Sequence, residues 1–122
     1  MDSDKVCRIL VIEDEPLLSA SIEDMVRELG CHLVGPAARL DHALTLALQS
    51  DIDVAILVIN VDGSVIYPVA DVLRFRGIPF FFSVGDDFRP LPQRFEGSPT
   101  LPKPFSAQAL SDALGETLTN SP

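Results

Sequence analysis

Glu13 and Asp14 leave the end of the apolar run Ile9-Leu10-Val11-Ile12. Lys103 stands far downstream in Thr100-Leu101-Pro102-Lys103-Pro104-Phe105, just ahead of a helical pattern. Adjacent acids at a strand end can gather a hard divalent cation through oxygen ligands. A lysine facing them can neutralise the oxygens of a transferring phosphoryl group. A third carboxylate, acting as nucleophile, would complete a magnesium-dependent pocket. The run that would deliver it reads Ala55-Ile56-Leu57-Val58-Ile59-Asn60, without an acid. The frame of such a site is present and its nucleophile is not.

Strand-like apolar runs alternate with helical patterns along the chain, the signature of βα units around a parallel sheet. Strand one is expected over Cys7 to Ile12, and a helix from Pro16 to Leu29, with Leu18, Ile22, Met25 and Leu29 at helical spacing and Gly30 as its stop. Strand two spans Cys31 to Val34 and ends at Gly35-Pro36. Helix two covers Leu40 to Gln49. Strand three, Val54 to Ile59, is continuously apolar and so predicts a central, doubly covered strand. Asp62-Gly63 is a turn. Helix three covers Val65 to Arg76, with Pro68 limiting where its hydrogen bonding starts. Strand four is Pro79 to Val84. The stretch 85–99 holds prolines at 90, 92 and 99 and glycines at 85 and 97, which excludes a regular helix longer than a turn. A short strand at Thr100-Leu101 follows. The last helix starts at Ser106, an N-cap, with Ala107, Leu110, Leu114 and Leu118 on its buried face.

The 122 residues predict a single domain, 1–122, with a real core. A net charge of −9 argues against a grip on nucleic acid or an anionic membrane surface. No apolar run is long enough to span a bilayer, and the polar start does not read as a signal peptide, so a cytoplasmic location is expected. Mean hydropathy is +0.26, high for a chain of this kind and in keeping with a sheet covered on both faces. Cys7 and Cys31 open two strands that could be neighbours. A bridge between them is not expected, because parallel neighbours seldom meet disulfide geometry and a cytosolic chain stays reduced. His32 and His42 have no partner pattern.

Carboxylates after strand one and Lys-Pro after strand five, with Arg76-Gly77-Ile78-Pro79 leading into strand four, make the chain resemble the receiver domain of two-component response regulators, the CheY-like family. The resemblance implies a flavodoxin-like doubly wound five-stranded parallel sheet of order 2-1-3-4-5, with its site at the carboxyl ends of the strands. It implies that Glu13 and Asp14 match the metal-binding acids, that Asn60 supplies a backbone carbonyl to the same ion, and that Lys103 matches the phosphoryl-binding lysine. The acceptor position falls on Val58 and the hydroxyl position on Val84. The aromatic common two residues before the lysine falls on Leu101. The fourth helix is shortened or replaced by the proline-rich segment 88–99, so the family's usual output surface does not carry over.

Valine offers no lone pair, so no catalytic residue is assigned, and phosphorylation of the usual kind is not expected. Val58 in place of an acid also removes a negative charge, so Mg²⁺ binding at Glu13, Asp14 and Asn60 should be weak or vestigial. Direct contact between Lys103 and a pocket carboxylate would hold the site in one state with no metal. Strand alternation points Ser83 to the face opposite Val84, so it is not expected to replace the missing hydroxyl. Phe88, Leu91 and Phe95 are expected to fold back onto the sheet edge. The resulting expectation is a stand-alone, non-enzymatic receiver-like domain that acts by binding a protein: a histidine kinase, another regulator or a second copy in a homodimer. Two alternatives are a receiver phosphorylated at an unusual acid such as Asp62, and a flavodoxin-like module for a small ligand. No Gly-rich phosphate loop follows strand one, which counts against a nucleotide.

Overall fold

A computed structural model describes residues 7–85 and 90–119. Strand β3 (Val54–Val58) is buried at every position, because a strand covered on both faces has no solvent side. Strands β1 (Arg8–Ile12) and β6 (Phe80–Val84) flank it, while β2 (His32–Ala37) and β7 (Thr100–Pro102) form the edges. The sheet is parallel, in the order β2-β1-β3-β6-β7. Helices α1 (Pro16–Glu28) and α4 (Ala107–Thr119) cover one face, over Ile9, Val11, Val54, Ile56 and Phe81. Helices α2 (Leu40–Gln49) and α3 (Tyr67–Phe75) cover the other, over Leu10, Ile12, Ala55, Leu57 and Phe82. This is the flavodoxin-like doubly wound sheet, with the expected strand order.

Three boundary differences from the sequence reading shape the site. Strand β2 continues through Gly35-Pro36 to Ala37, and its ladder with β1 slips between Leu10↔Val34 and Ile12↔Ala37. Gly35 sits at φ +96°, and a Cβ there would stand 3.0 Å from the Val11 carbonyl oxygen. This bulge brings the Ala37 carbonyl to the Glu13 amide, which donates to it at 3.0 Å.

Strand β3 stops at Val58, and a miniature hairpin, β4 (Asn60–Val61) with β5 (Ser64–Val65), separates it from α3. Asp62 (φ 49°) and Gly63 (φ 81°) are both left-handed, as a tight two-residue hairpin turn requires. Helix α3 therefore starts at Tyr67, with Pro68 in its first turn. In α4 the Ser106 hydroxyl accepts from the Ala109 amide at 3.0 Å, the expected cap. Leu110 and Leu114 are buried, but Thr117 rather than Leu118 continues the buried stripe, since helical periodicity drifts over two turns.

The proline-rich segment keeps only one 3₁₀ turn, Gln93–Phe95, among its described residues. Phe95 is fully buried against Phe80, Phe82 and Tyr67, with ring centroids 6.0, 5.8 and 5.5 Å away. The guanidinium groups of Arg74 and Arg94 lie over its ring at 4.6 and 4.9 Å. Asp71 accepts from two Arg94 nitrogens at 3.0 and 3.1 Å. Leu91 packs against the same core, while Phe88 lies outside the described residues. The segment replaces the fourth helix and is anchored by its aromatic.

Phe95→Ala should therefore lower the unfolding free energy by about 3–4 kcal/mol in urea denaturation, the range for truncating a buried phenylalanine. Leu17→Ala, at a side chain 81% exposed, should change it by no more than about 0.5 kcal/mol. Equal losses for the two variants would mean that the segment is not anchored this way.

Candidate functional site

The carboxyl ends of β1, β3, β6 and β7 open into a cavity of about 770 Å³. Its walls include Glu13, Asp14, Val58, Asn60, Ser83 and Lys103. Ladder register explains the convergence. Ile12 pairs with Leu57 and Val58 with Ser83, so Glu13, Val58 and Ser83 lie in one row across three strands. Lys103 comes in from the end of β7, its amide donating to the Val84 carbonyl at 2.8 Å.

Glu13 is the buried charge of the site, with 1% of its side chain exposed. One carboxylate oxygen accepts from Lys103 Nζ at 3.4 Å, and the other accepts from the Glu15 amide at 3.0 Å. Lys103 keeps 22% of its side chain in contact with solvent, so its remaining donors reach water. The direct lysine–carboxylate contact anticipated from sequence is thus present.

The two neighbouring acids are also engaged. Asp14 accepts from the Asp62 amide at 2.8 Å, which ties the hairpin tip to the loop after β1. Glu15 caps α1, accepting from the Leu17 and Leu18 amides at 3.3 and 2.8 Å. Among the described residues no three His, Cys, Asp or Glu side chains converge as a metal site. Glu13 already pairs with Lys103 and the Glu15 amide, and one Asp14 oxygen with the Asp62 amide, so an ion here would compete with these contacts.

Val58 lies where sequence placed it, 5% exposed at the cavity wall. Val84 is not among the residues lining the cavity; its side chain packs in the core cluster that also holds Val58 and Phe95. Ser83 takes the place beside Val58. Alternation does send Ser83 and Val84 to opposite faces, as expected, but the face that carries Glu13 is the one Ser83 meets. Its hydroxyl is 1% exposed and has no hydrogen-bond partner among the described residues. Asp62, the alternative acceptor, contributes its backbone to the site and leaves its side chain exposed at the hairpin tip. Tyr67, the only tyrosine of the chain, also lines the cavity and stacks on Phe95. Burial raises its phenol above the ordinary value, against the pull of Arg94. Its site role was not legible in sequence, because the hairpin that delivers it is only two residues per strand.

No family model matches the chain. It is 31% identical, over 95% of its length, to the phyllosphere-induced regulator PhyR of Methylorubrum extorquens, and it spans about half of that protein (45%). A solved structure of the PhyR stress response regulator is 30% identical over 99% of this chain and 48% of that one, with a TM-score of 0.77. SdrG from Sphingomonas melonis Fr1 is 36% identical, with a TM-score of 0.83 over 93% of this chain and 97% of that one. Against SdrG in its BeF3-activated conformation the TM-score is 0.75, over 91% of this chain and 95% of that one. The receiver domain of a Pseudomonas aeruginosa sensor histidine kinase, with magnesium in its active-site cleft, shares the fold at 22% identity and TM-score 0.79, over 94% of this chain and 99% of that one. No helix among the described residues is long and apolar enough to cross a membrane.

Removing one member of the buried pair leaves the other uncompensated. Lys103→Met should cost about 2–3 kcal/mol of folding stability, somewhat below the cost for a wholly buried pair because Lys103 is partly solvated. Adding Glu13→Gln to it should restore most of that loss in the same urea titration. A double variant as unstable as Lys103→Met alone would show that the Glu13 charge is not what Lys103 compensates.

Proposed function

The chain belongs to the receiver-domain family of two-component response regulators, and from that membership we propose that it regulates by binding a partner protein rather than by accepting a phosphoryl group. The observation that carries this reading is Val58, a hydrocarbon side chain in ladder register between Glu13 and Ser83, at the wall the phosphoacceptor would occupy. Phosphoryl transfer needs a nucleophile there. Lys103, the cation that would meet the transferred oxygens, is already held by Glu13. Asp14, a candidate magnesium ligand, is held by the hairpin.

On this reading the chain does not catalyse its own phosphorylation, and residues 1–122 act as a single receiver-like unit in the cytoplasm. Mg²⁺ at Glu13, Asp14 and Asn60 is weak, because it would compete with the existing partners of Glu13 and Asp14 and lacks a carboxylate at Val58. The partner is a histidine kinase, another regulator or a second copy of the chain. PhyR is by name a stress response regulator, and a place in stress signalling is the corresponding proposal for this chain.

Intact mass after incubation with acetyl phosphate and Mg²⁺ tests the reading. The parent chain should remain unmodified, and Val58→Asp, with its fold checked by circular dichroism, should gain one phosphoryl group. A phosphorylated parent would overturn the proposal. In the Val58→Asp background, Ser83→Ala should slow phosphorylation by about tenfold or more, while Val84→Ala leaves it near the Val58→Asp rate. The reverse order would return the hydroxyl position to Val84.

A further inference from the structure

Cys7 and Cys31 lie at the end of the sheet opposite the site. The β1–β2 ladder pairs Arg8 with His32, and one step back the His32 amide donates to the Cys7 carbonyl at 2.8 Å. Each cysteine stands one residue ahead of its strand, and the Cys31 amide donates to the Val26 carbonyl at 3.1 Å. Both side chains are half-buried and pack against the same α1/α4-side core, so they share a face. Continuing the ladder one step back from Arg8↔His32 sets Cys7 opposite Cys31. They are the only cysteines of the chain.

We propose that Cys7 and Cys31 form a dithiol modification site that small oxidants, peroxides above all, convert to an intramolecular disulfide joining the starts of β1 and β2. Neighbouring strands place Cα atoms about 4.8 Å apart, inside the ~4.4–6.8 Å that disulfides span. Regular parallel pairing sets the side chains somewhat too far apart for the bond. Here the pair lies one step outside the regular ladder, where strict parallel pairing is not imposed. Burial first, then the neighbouring Cys31 and Asp53, push the Cys7 thiol up to about 12, so it remains protonated at neutral pH. Cys31 is then the sulfur that attacks. As a thiolate it displaces hydroxide from hydrogen peroxide to give a sulfenic acid, and the hydroxide takes up the proton released by the thiol to leave as water. Cys7 displaces the hydroxyl as a second water, so two thiols and one peroxide become one disulfide and two waters. With Cys7 protonated and Cys31 half-buried, the reaction is slow compared with that of a dedicated peroxide sensor.

The test treats the folded full chain with hydrogen peroxide, quenches it with iodoacetamide, and reads intact mass and tryptic peptides. The expected product is a monomer lighter by two hydrogens, with no alkylatable thiol and a Cys7–Cys31 cross-linked peptide. Its rate should not depend on protein concentration. Cys7→Ser and Cys31→Ser, each shown to be folded by circular dichroism, should both fail to give it. Free thiols after prolonged treatment, a bond that forms only in urea, or a bond that joins two chains would each overturn the assignment.

Discussion

A carboxylate buried at the end of β1 is the constraint to which the rest of the site answers. Taking a charge out of water costs several kcal/mol unless a partner and hydrogen bonds replace the lost solvent. Glu13 obtains these from Lys103 and from the Glu15 amide, and its own amide is held by Ala37 at the β2 bulge. Strands β1 and β7 are not neighbours: β3 and β6 lie between them. The pair therefore spans the sheet and fixes how its far edge sits over the cavity. Such a pair is weak evidence for net stability, since an apolar substitute often does as well. Its structural meaning is specificity of arrangement. Pairing Glu13 holds the lysine in, and engaging Asp14 holds the hairpin down.

The proline-rich segment solves a different problem. It cannot satisfy its backbone as a helix, so it is tied down through side chains. The Arg94–Asp71 pair is about half exposed and contributes at most ~1 kcal/mol. Each aromatic or cation–π contact of Phe95 adds about 0.5–1.5 kcal/mol. Removing the Phe95 ring from water is the larger single effect, at ~2–3 kcal/mol. The hydrophobic anchor thus dominates and the charges orient it. Tyr67 connects the anchor to the cavity, because it stacks on Phe95 while forming part of the site wall. A partner that moves the segment would move the site wall with it.

The strand order and the positions of Glu13, Asp14, Val58 and Lys103 were legible in sequence, because they depend on periodicity and on the ends of apolar runs. The doubly covered β3 announced itself by an unbroken apolar stretch, and Ser106 by its capping chemistry. What was not legible depended on long-range geometry. Alternation along β6 correctly separated Ser83 from Val84, but which of the two faces the cavity is decided by pairing with β3. The β4–β5 hairpin has two residues per strand, too few for any period to register, so Tyr67 and the Asp14–Asp62 contact stayed hidden. Leu118, expected inside, is exposed while Thr117 is buried, because an i, i+4 rule accumulates error over the second turn of α4. The nearness of Cys7 and Cys31 was foreseen from strand order.

A switch needs two states that a signal tells apart, and a signal shifts the balance only by its differential affinity for them. A receiver pocket normally offers that difference as unbalanced charge, which a phosphoryl group and a metal complete. In this chain the balance is reached internally: Lys103 has Glu13, Asp14 has the Asp62 amide, and Glu15 has the first turn of α1. The pocket has little left for a phosphoryl group to discriminate, and Val58 offers it no bond. On the proposed reading, differential affinity comes from surface contacts made by the partner itself. Regulation of this kind follows partner concentration rather than phosphoryl supply, and it places specificity on the outer faces of the sheet's helices and of the anchored segment.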